Sequence, residues 1–445
     1  MIRRLLLAAV VAATGCGPAW ADRPLVLAGG TVIDGYGNPP LNNGVVVIED
    51  ERISAVGTVD SVVLPPDAEV ISTEGMTVLP GLWDLQVYVD RLGHGDERRW
   101  GEAYAPIAAR VVTPLAAAQL LQAGVTSARV LAGPAAATVR LKKRIAEQRI
   151  PGPTLFVTGP QLVKVISPGA EGRQRAVAGA ADGRAQVEQL AAAGVDYLLL
   201  GGLDLWEDEE LAAVVNEARI RGLEVFVYGE RPTAVERGLA SRVDGFVGLD
   251  LGATPEFPEE VLRAIAARVA DTGTARLSWS PAISGVLNYE DLRRNPEPLD
   301  DPGATAGLPP LIAADVRASL RQLDRITWYD MPAARAPTLC PKLRQLQQAG
   351  VRLALGSDSG APAHLHTRAV WQEIDYWVRG CGLDPLFVIQ AATHEAAAAM
   401  RVEFESGSLA PGKYADVIAV RGDVLRTPAL LQHVDIVIRH GHRYR

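Results

Sequence analysis

Two stretches hold the side chains whose chemistry matters most. In the first, Gly356-Ser357-Asp358-Ser359-Gly360 sets an aspartate in a small-residue turn after the apolar run Val351 to Leu355, with His364 and His366 close behind. A histidine pair with one residue between can reach one ion from a loop, yet no third ligand is evident, and a solvated loop with ordinary polar contacts is the competing reading. Asp358 can likewise order the turn through its own backbone hydrogen bonds. In the second stretch, Asp84-Leu85-Gln86-Val87-Tyr88, the period of two of an extended strand turns Gln86 and Tyr88 to one side. A neutral amide and a protonated phenol are not normal zinc ligands. Lys164, between Gly159-Pro160 and Ser167-Pro168, is placed either to meet an anionic group or to lie in solvent.

The elements that would position these residues alternate. Short apolar, β-branched runs beginning near Val78, Thr126, Leu155, Val195, Leu223, Val243, Arg276 and Val351 are separated by alanine-rich helical stretches, among them 111–123, 185–193, 211–221 and 343–349. That rhythm is the signature of repeated βα units with parallel strands, and eight of them predict an α/β fold of the (β/α)8 TIM-barrel type over 78–404, with chemistry on the loops after the strand C-termini. The Pro/Gly-rich stretch 295–310 reads as a long surface loop. From Pro24 to Val78, and again in Ala415–Val420 and Val434–Ile438, turn residues separate short β-rich runs. Both chain ends therefore predict one composite β-sandwich domain, 22–77 with 405–445.

The sequence has 445 residues, is 48% hydrophobic and 22% charged, and carries a formal charge of -8 with no basic run. It offers no electrostatic footprint for nucleic acid or anionic membrane, which leaves a small polar molecule as the expected partner. Residues 1–21 read as a signal peptide: Arg3 and Arg4, the apolar run Leu5 to Ala13, and Ala19-Trp20-Ala21 before cleavage. The expectation is a periplasmic or secreted protein without a transmembrane segment, since no stretch reaches the roughly 20 apolar residues a span needs. A rival reading takes Ala13-Thr14-Gly15-Cys16 as a lipoprotein box. Cleavage after Ala21 leaves Cys340 and Cys381, which an oxidising compartment could pair or which could stay as buried thiols.

Several stretches together resemble one family. Gly30-Thr31-Val32-Ile33-Asp34-Gly35, Val78-Leu79-Pro80-Gly81-Leu82-Trp83-Asp84, the run Gly350 to Gly360, and Gly407-Ser408-Leu409-Ala410-Pro411-Gly412-Lys413-Tyr414-Ala415-Asp416 are similar to imidazolonepropionase-like and Xaa-Pro dipeptidase-like members of the amidohydrolase superfamily. The resemblance implies a divalent metal such as zinc, held by an Asp-x-His-x-His strand, a carbamylated lysine, two further histidines and an aspartate. It places Gln86 and Tyr88 at the first two histidines, Leu199 at the lysine, Tyr228 and Gly248 at the later histidines, and Asp358 at the one ligand kept. It also implies that Asp358 acts as the general base.

The expectation is a hydrolase of carbon-nitrogen bonds by descent whose metal site is degenerate and whose catalysis is impaired. It would bind a small polar, amide- or dipeptide-like ligand or serve as a scaffold, as a homo-oligomer or beside an active paralogue. The alternative is a metal-poor hydrolase in which a tyrosine hydroxyl polarises the carbonyl while Asp358 activates water. Losing the metal removes most of that water's nucleophilicity at neutral pH. Gly81 follows Pro80 at a bend, where a β-branched side chain would be strained if the backbone needs a positive φ, and Asp84, without flanking histidines, is expected to tolerate Asn better than Gly81 tolerates Val.

Overall fold

Valine-rich runs broken by Gly, Asn and Asp give the first strands: β1 (Leu25–Val32), β2 (Leu41–Glu49) and β3 (Arg52–Thr58), paired as antiparallel neighbours. The computed structural model describes residues 23–445 except 230, 250–251, 272–275, 297–298, 300, 324–325 and 327–330. Residues 1–21, read above as a signal peptide, and Cys16 within them lie outside the described residues. Strands β4 (Glu69–Ser72) and β5 (Met76–Pro80) both run parallel to β1. The run at Val78 therefore belongs to this sheet, and the chain turns at Gly81 before the first strand of the βα series.

That series holds β6 (Leu82–Val87), β7 (Val125–Val130), β8 (Thr154–Val157), β9 (Gln161–Val163), β10 (Gln174–Ala176), β11 (Tyr197–Leu200), β12 (Glu224–Tyr228), β13 (Gly245–Val247), β14 (Ser278–Ser280) and β15 (Arg352–Leu353). All their pairings are parallel, in two sheets of order β6-β7-β8 and β10-β9-β11-β12-β13-β14-β15. Strands such as Tyr197-Leu198-Leu199-Leu200 are buried on both faces, which is why they read as continuous apolar runs. Burying each such side chain contributes about 2 kcal/mol.

Helices Thr113–Gln122, Ala180–Ala193, Asp208–Ile220 and Pro332–Gln348 fill the positions predicted for them, the last three starting earlier than expected. The stretch 295–310 is not simply a surface loop: it holds a 3-10 turn at Pro302–Thr305 and buries Leu299 and Ala304.

Backbone hydrogen bonds also join the two parallel sheets. Asp196 N donates to Val157 O at 2.7 Å, linking β8 to β11, and Asp196 Oδ2 accepts from Val157 N at 2.8 Å. At the other side Leu85 N donates to Leu355 O at 2.9 Å, Ser359 N to Gln86 O at 3.0 Å and Tyr88 N to Ser359 O at 2.7 Å, so β6 lies along the segment following β15.

The chain ends return to the first sheet through β16 (Val417–Arg421), β17 (Ile436–Arg439) and β18 (His442–Arg443). Pairing of β16 with β5, from Val417 opposite Pro80 to Arg421 opposite Met76, makes one sheet from both termini. Cys340 and Cys381, left open by sequence, form a disulfide with Cα atoms 5.0 Å apart. Among the described residues no single helix is long and apolar enough to cross a membrane.

Gly81 does not adopt a positive φ, so its constraint is space: a Cβ there would lie 2.1 Å from Thr126 Oγ1 and 2.3 Å from Thr126 Cγ2. Overpacking of this kind costs about 1–3 kcal/mol. Gly81→Ala is expected to lower stability by about 2 kcal/mol in a denaturant titration, and Thr126→Ala in the same chain to recover part of the loss. Equal midpoints for Gly81→Ala and the parent would refute the close approach.

Candidate functional site

Asp84, on β6, is fully buried. Its Oδ1 accepts from Gln86 N at 3.1 Å and Ser357 N at 2.9 Å, and its Oδ2 accepts from the Ser357 hydroxyl. Burial pushes its carboxyl up to about 6 against these donors. Asp84 thus ties β6 to the turn after β15.

Gln86 also points inward. Its Nε2 donates to Ser280 O at 2.5 Å, across the interior to the end of β14. Beside it Arg129 of β7 is buried: Nε donates to Leu85 O at 2.9 Å, Nη2 to Ser280 Oγ at 2.8 Å, and the guanidinium sits 4.1 Å from the Phe226 ring centroid. A charged residue in the run Val125–Val130 is the signal that sequence reasoning passed over.

One layer further out the Tyr88 and Tyr228 hydroxyls are 2.7 Å apart, at the ends of β6 and β12. Burial first, then the Asp358 charge, pushes the Tyr88 phenol well above its usual range, so it is a neutral hydrogen-bonding group. Asp358 takes a left-handed backbone, φ +58°, and its carbonyl accepts from Ala361 N at 3.1 Å, so it does shape the turn.

Leu199 packs in an apolar cluster with Tyr88, Tyr197 and Phe226. Gly248, φ +77°, donates its N–H to Ser280 O at 2.8 Å and accepts from Trp279 Nε1 at 2.6 Å. Only Asp358 of the six positions is a common metal ligand. Among the described residues no three His, Cys, Asp or Glu side chains converge on a possible ion site. The donors at these positions do not fit a divalent metal: an amide committed to Ser280, a neutral phenol pair, a leucine and a glycine.

His364 and His366 are buried rather than solvated. Nδ1 of His364 faces Ser357 O at 2.7 Å. Nε2 of His366 faces Arg91 O at 2.8 Å, a group that only accepts, so Nε2 carries the proton and Nδ1 accepts from the Ser359 hydroxyl. His366 thereby clips the loop after β6 to the loop after β15. Burial pulls both imidazoles down to about 4. Lys164 is committed too. It donates to Glu210 Oε1 at 2.7 Å, while Glu210 Oε2 accepts from Glu207 N at 3.1 Å in the capping box of the helix Asp208–Ile220.

Tyr88 and Tyr228 line a cavity of about 940 Å³ between the helical segment from Glu97 to Ala109 and the loop 167–174. Gln86, Leu199, Gly248, Lys164, Asp358, His364 and His366 are not among its lining residues. Asp90 and Arg173 are, and neither was foreseen. Asp90 lies in the turn that follows β6, beyond the reach of strand spacing, and Arg173 lies in a loop without periodicity.

Residues 315–443 match the amidohydrolase family model. The chain is 26% identical over 423 residues to an imidazolonepropionase of Symbiobacterium thermophilum, covering 86% of this chain and 84% of that one. Among solved structures it is similar to a Xaa-Pro dipeptidase with bound methionine in its active site, with TM-score 0.74, 22% identity, and coverage of 95% of this chain and 100% of that one. It is also similar to A. niger ochratoxinase, with TM-score 0.71, 20% identity, and coverage of 95% and 96%. These matches make the chain similar to amidohydrolase-superfamily proteins, and among them to imidazolonepropionase-like and Xaa-Pro dipeptidase-like ones.

The buried groups give opposite pH dependences. His366, lowered from an ordinary 6.5 to about 4, is neutral in the fold, so its contribution is present above 6.5 and is lost as pH falls towards 4. Asp84, raised from 3.8 to about 6, holds its proton more tightly in the fold, so stability is gained as pH falls from 6 to 4. In thermal unfolding between pH 7 and 4, His366→Gln is expected to be less acid-sensitive than the parent and Asp84→Asn more so. Parallel curves for all three proteins would refute these environments.

Proposed function

We propose that this chain is an exported amidohydrolase-fold protein that binds a small polar molecule in the periplasm and is catalytically impaired, because the positions of the family's metal ligands have been turned into internal hydrogen bonds and packing. The observation that carries this reading is the commitment of those positions to the protein itself, with Gln86 on Ser280 and Tyr88 on Tyr228. A metal ion lowers the pKa of bound water by many units, and a neutral phenol pair offers no equivalent.

The same reading takes β6, β7, β8, β11, β12, β13, β14 and β15 as a closed eight-stranded barrel that begins at Leu82 rather than Val78 and runs to about residue 404. The links from Asp196 to Val157 and from Leu85 to Leu355 support closure. The terminal strands, β5 included, form the composite β domain with 405–445. Export is supported by the disulfide between Cys340 and Cys381, which persists in oxidising compartments.

Elemental analysis of the purified, dialysed protein is expected to find less than about one equivalent of zinc, manganese or iron. A hydrolysis screen on dipeptides and N-acyl amino acids is expected to give no turnover above background. Stoichiometric metal would overturn the loss of the centre. Metal-free turnover abolished by Asp358→Asn would replace the binding role with hydrolysis in which Asp358 serves as base.

A further inference from the structure

The cavity's charged side chains sort themselves into partnered and unpartnered. Arg91 makes a two-pronged contact with Glu97, with Nη2 to Oε2 at 3.0 Å, and Arg98 pairs with Glu102 at 3.3 Å. Arg173 makes no side-chain hydrogen bond or ion pair among the described residues, and Oδ1 of Asp90 is buried without a hydrogen-bond partner. Glu171 stands exposed at the rim. A buried carboxylate oxygen left unpaired is costly, so a donor that satisfies it is favoured on binding.

From this arrangement we infer that the cavity is a binding site for a free α-amino acid, with Arg173 taking the carboxylate, Asp90 the ammonium, and the small residues Ala105, Ala108, Ala109 and Ala137 leaving room for an apolar side chain. The inference rests on the binding reading above. Guanidinium matches carboxylate in a planar two-point contact, and an ammonium supplies donors to an oxygen that lacks one. Burial raises the Asp90 carboxyl, and a bound ammonium would favour its ionised form. Tyr88 and Tyr228 line the same cavity with their paired hydroxyls, and Glu171, exposed, lies away from the buried Asp90 oxygen's environment.

The test uses titration calorimetry on the full-length mature protein with L-leucine, L-leucinamide and N-acetyl-L-leucine. L-leucine is expected to bind at least about tenfold more tightly than either analogue, because each lacks one of the two charges. Arg173→Gln should erase the preference over leucinamide and Asp90→Asn the preference over N-acetyl-leucine. Should a variant fail to fold, the three-probe comparison on the parent still decides. Equal binding of the three probes, no binding of any, or a folded Arg173→Gln protein that still prefers leucine over leucinamide would overturn the site. Metal content of the same sample separates the two readings. Stoichiometric metal overturns the proposed function whatever leucine does, and a metal-free protein that ignores leucine overturns only this site.

Discussion

The carboxylate of Asp84 is the constraint on which the interior depends. It is buried where an ionised group is costly, and it is held there by Gln86 N, Ser357 N and the Ser357 hydroxyl. Removing such an acceptor leaves buried donors unsatisfied at about 1–3 kcal/mol each. Because two of the three donors belong to Ser357, these bonds fix how β6 meets the turn after β15. Asp358 and Ser359 follow immediately, and Ser359 reaches His366, which reaches Arg91 O. The loops around the cavity are therefore set by one chain of hydrogen bonds beginning at Asp84.

Above Asp84 the interior is filled in a way that a metal centre would not permit. Gln86 and Arg129 both reach Ser280, the first through its carbonyl and the second through its hydroxyl. Arg129 lies over Phe226 while its other contacts are Leu85 O and, at 4.0 Å, the sulfur of Met400. A buried guanidinium without a direct carboxylate partner is expensive unless its donors are met and its face is covered, and here both conditions hold. Burial nevertheless pulls the Arg129 pKa down, with Tyr197, Glu224, Tyr228 and Asp84 opposing.

Much of this was legible from sequence. The alternation of apolar runs and alanine-rich helices located the parallel strands, and the β-rich ends did join one sheet. The boundary at Val78 was misread because an apolar run looks the same whether it pairs with a terminal strand or begins a parallel series. Only the partner distinguishes Met76–Pro80 from Leu82–Val87. Lys164 and the two histidines were misjudged for a related reason. A polar residue in a loop reads as solvated, and nothing local says that Glu210 or Arg91 O will arrive from elsewhere.

The same reasoning separates the two kinds of polar residue around the cavity. Strand periodicity carries information about direction only as far as Val87, and Asp90 lies in the turn that follows, so its place in the cavity was not fixed by spacing. Loop residues such as Arg173 carry no such phase, and their role emerges only when neighbouring charges are seen to be already paired. Arg91 and Arg98 have nearby acids, Glu97 and Glu102, within the first turns that follow β6. Arg173 lines the cavity from the β9–β10 connection, makes no side-chain hydrogen bond or ion pair among the described residues, and acts on Asp90 only through its charge. Two local ion pairs thus leave Arg173 and one Asp90 carboxylate oxygen facing a common space, with Glu171 exposed beside them, and that residual polarity is what a small polar ligand would meet.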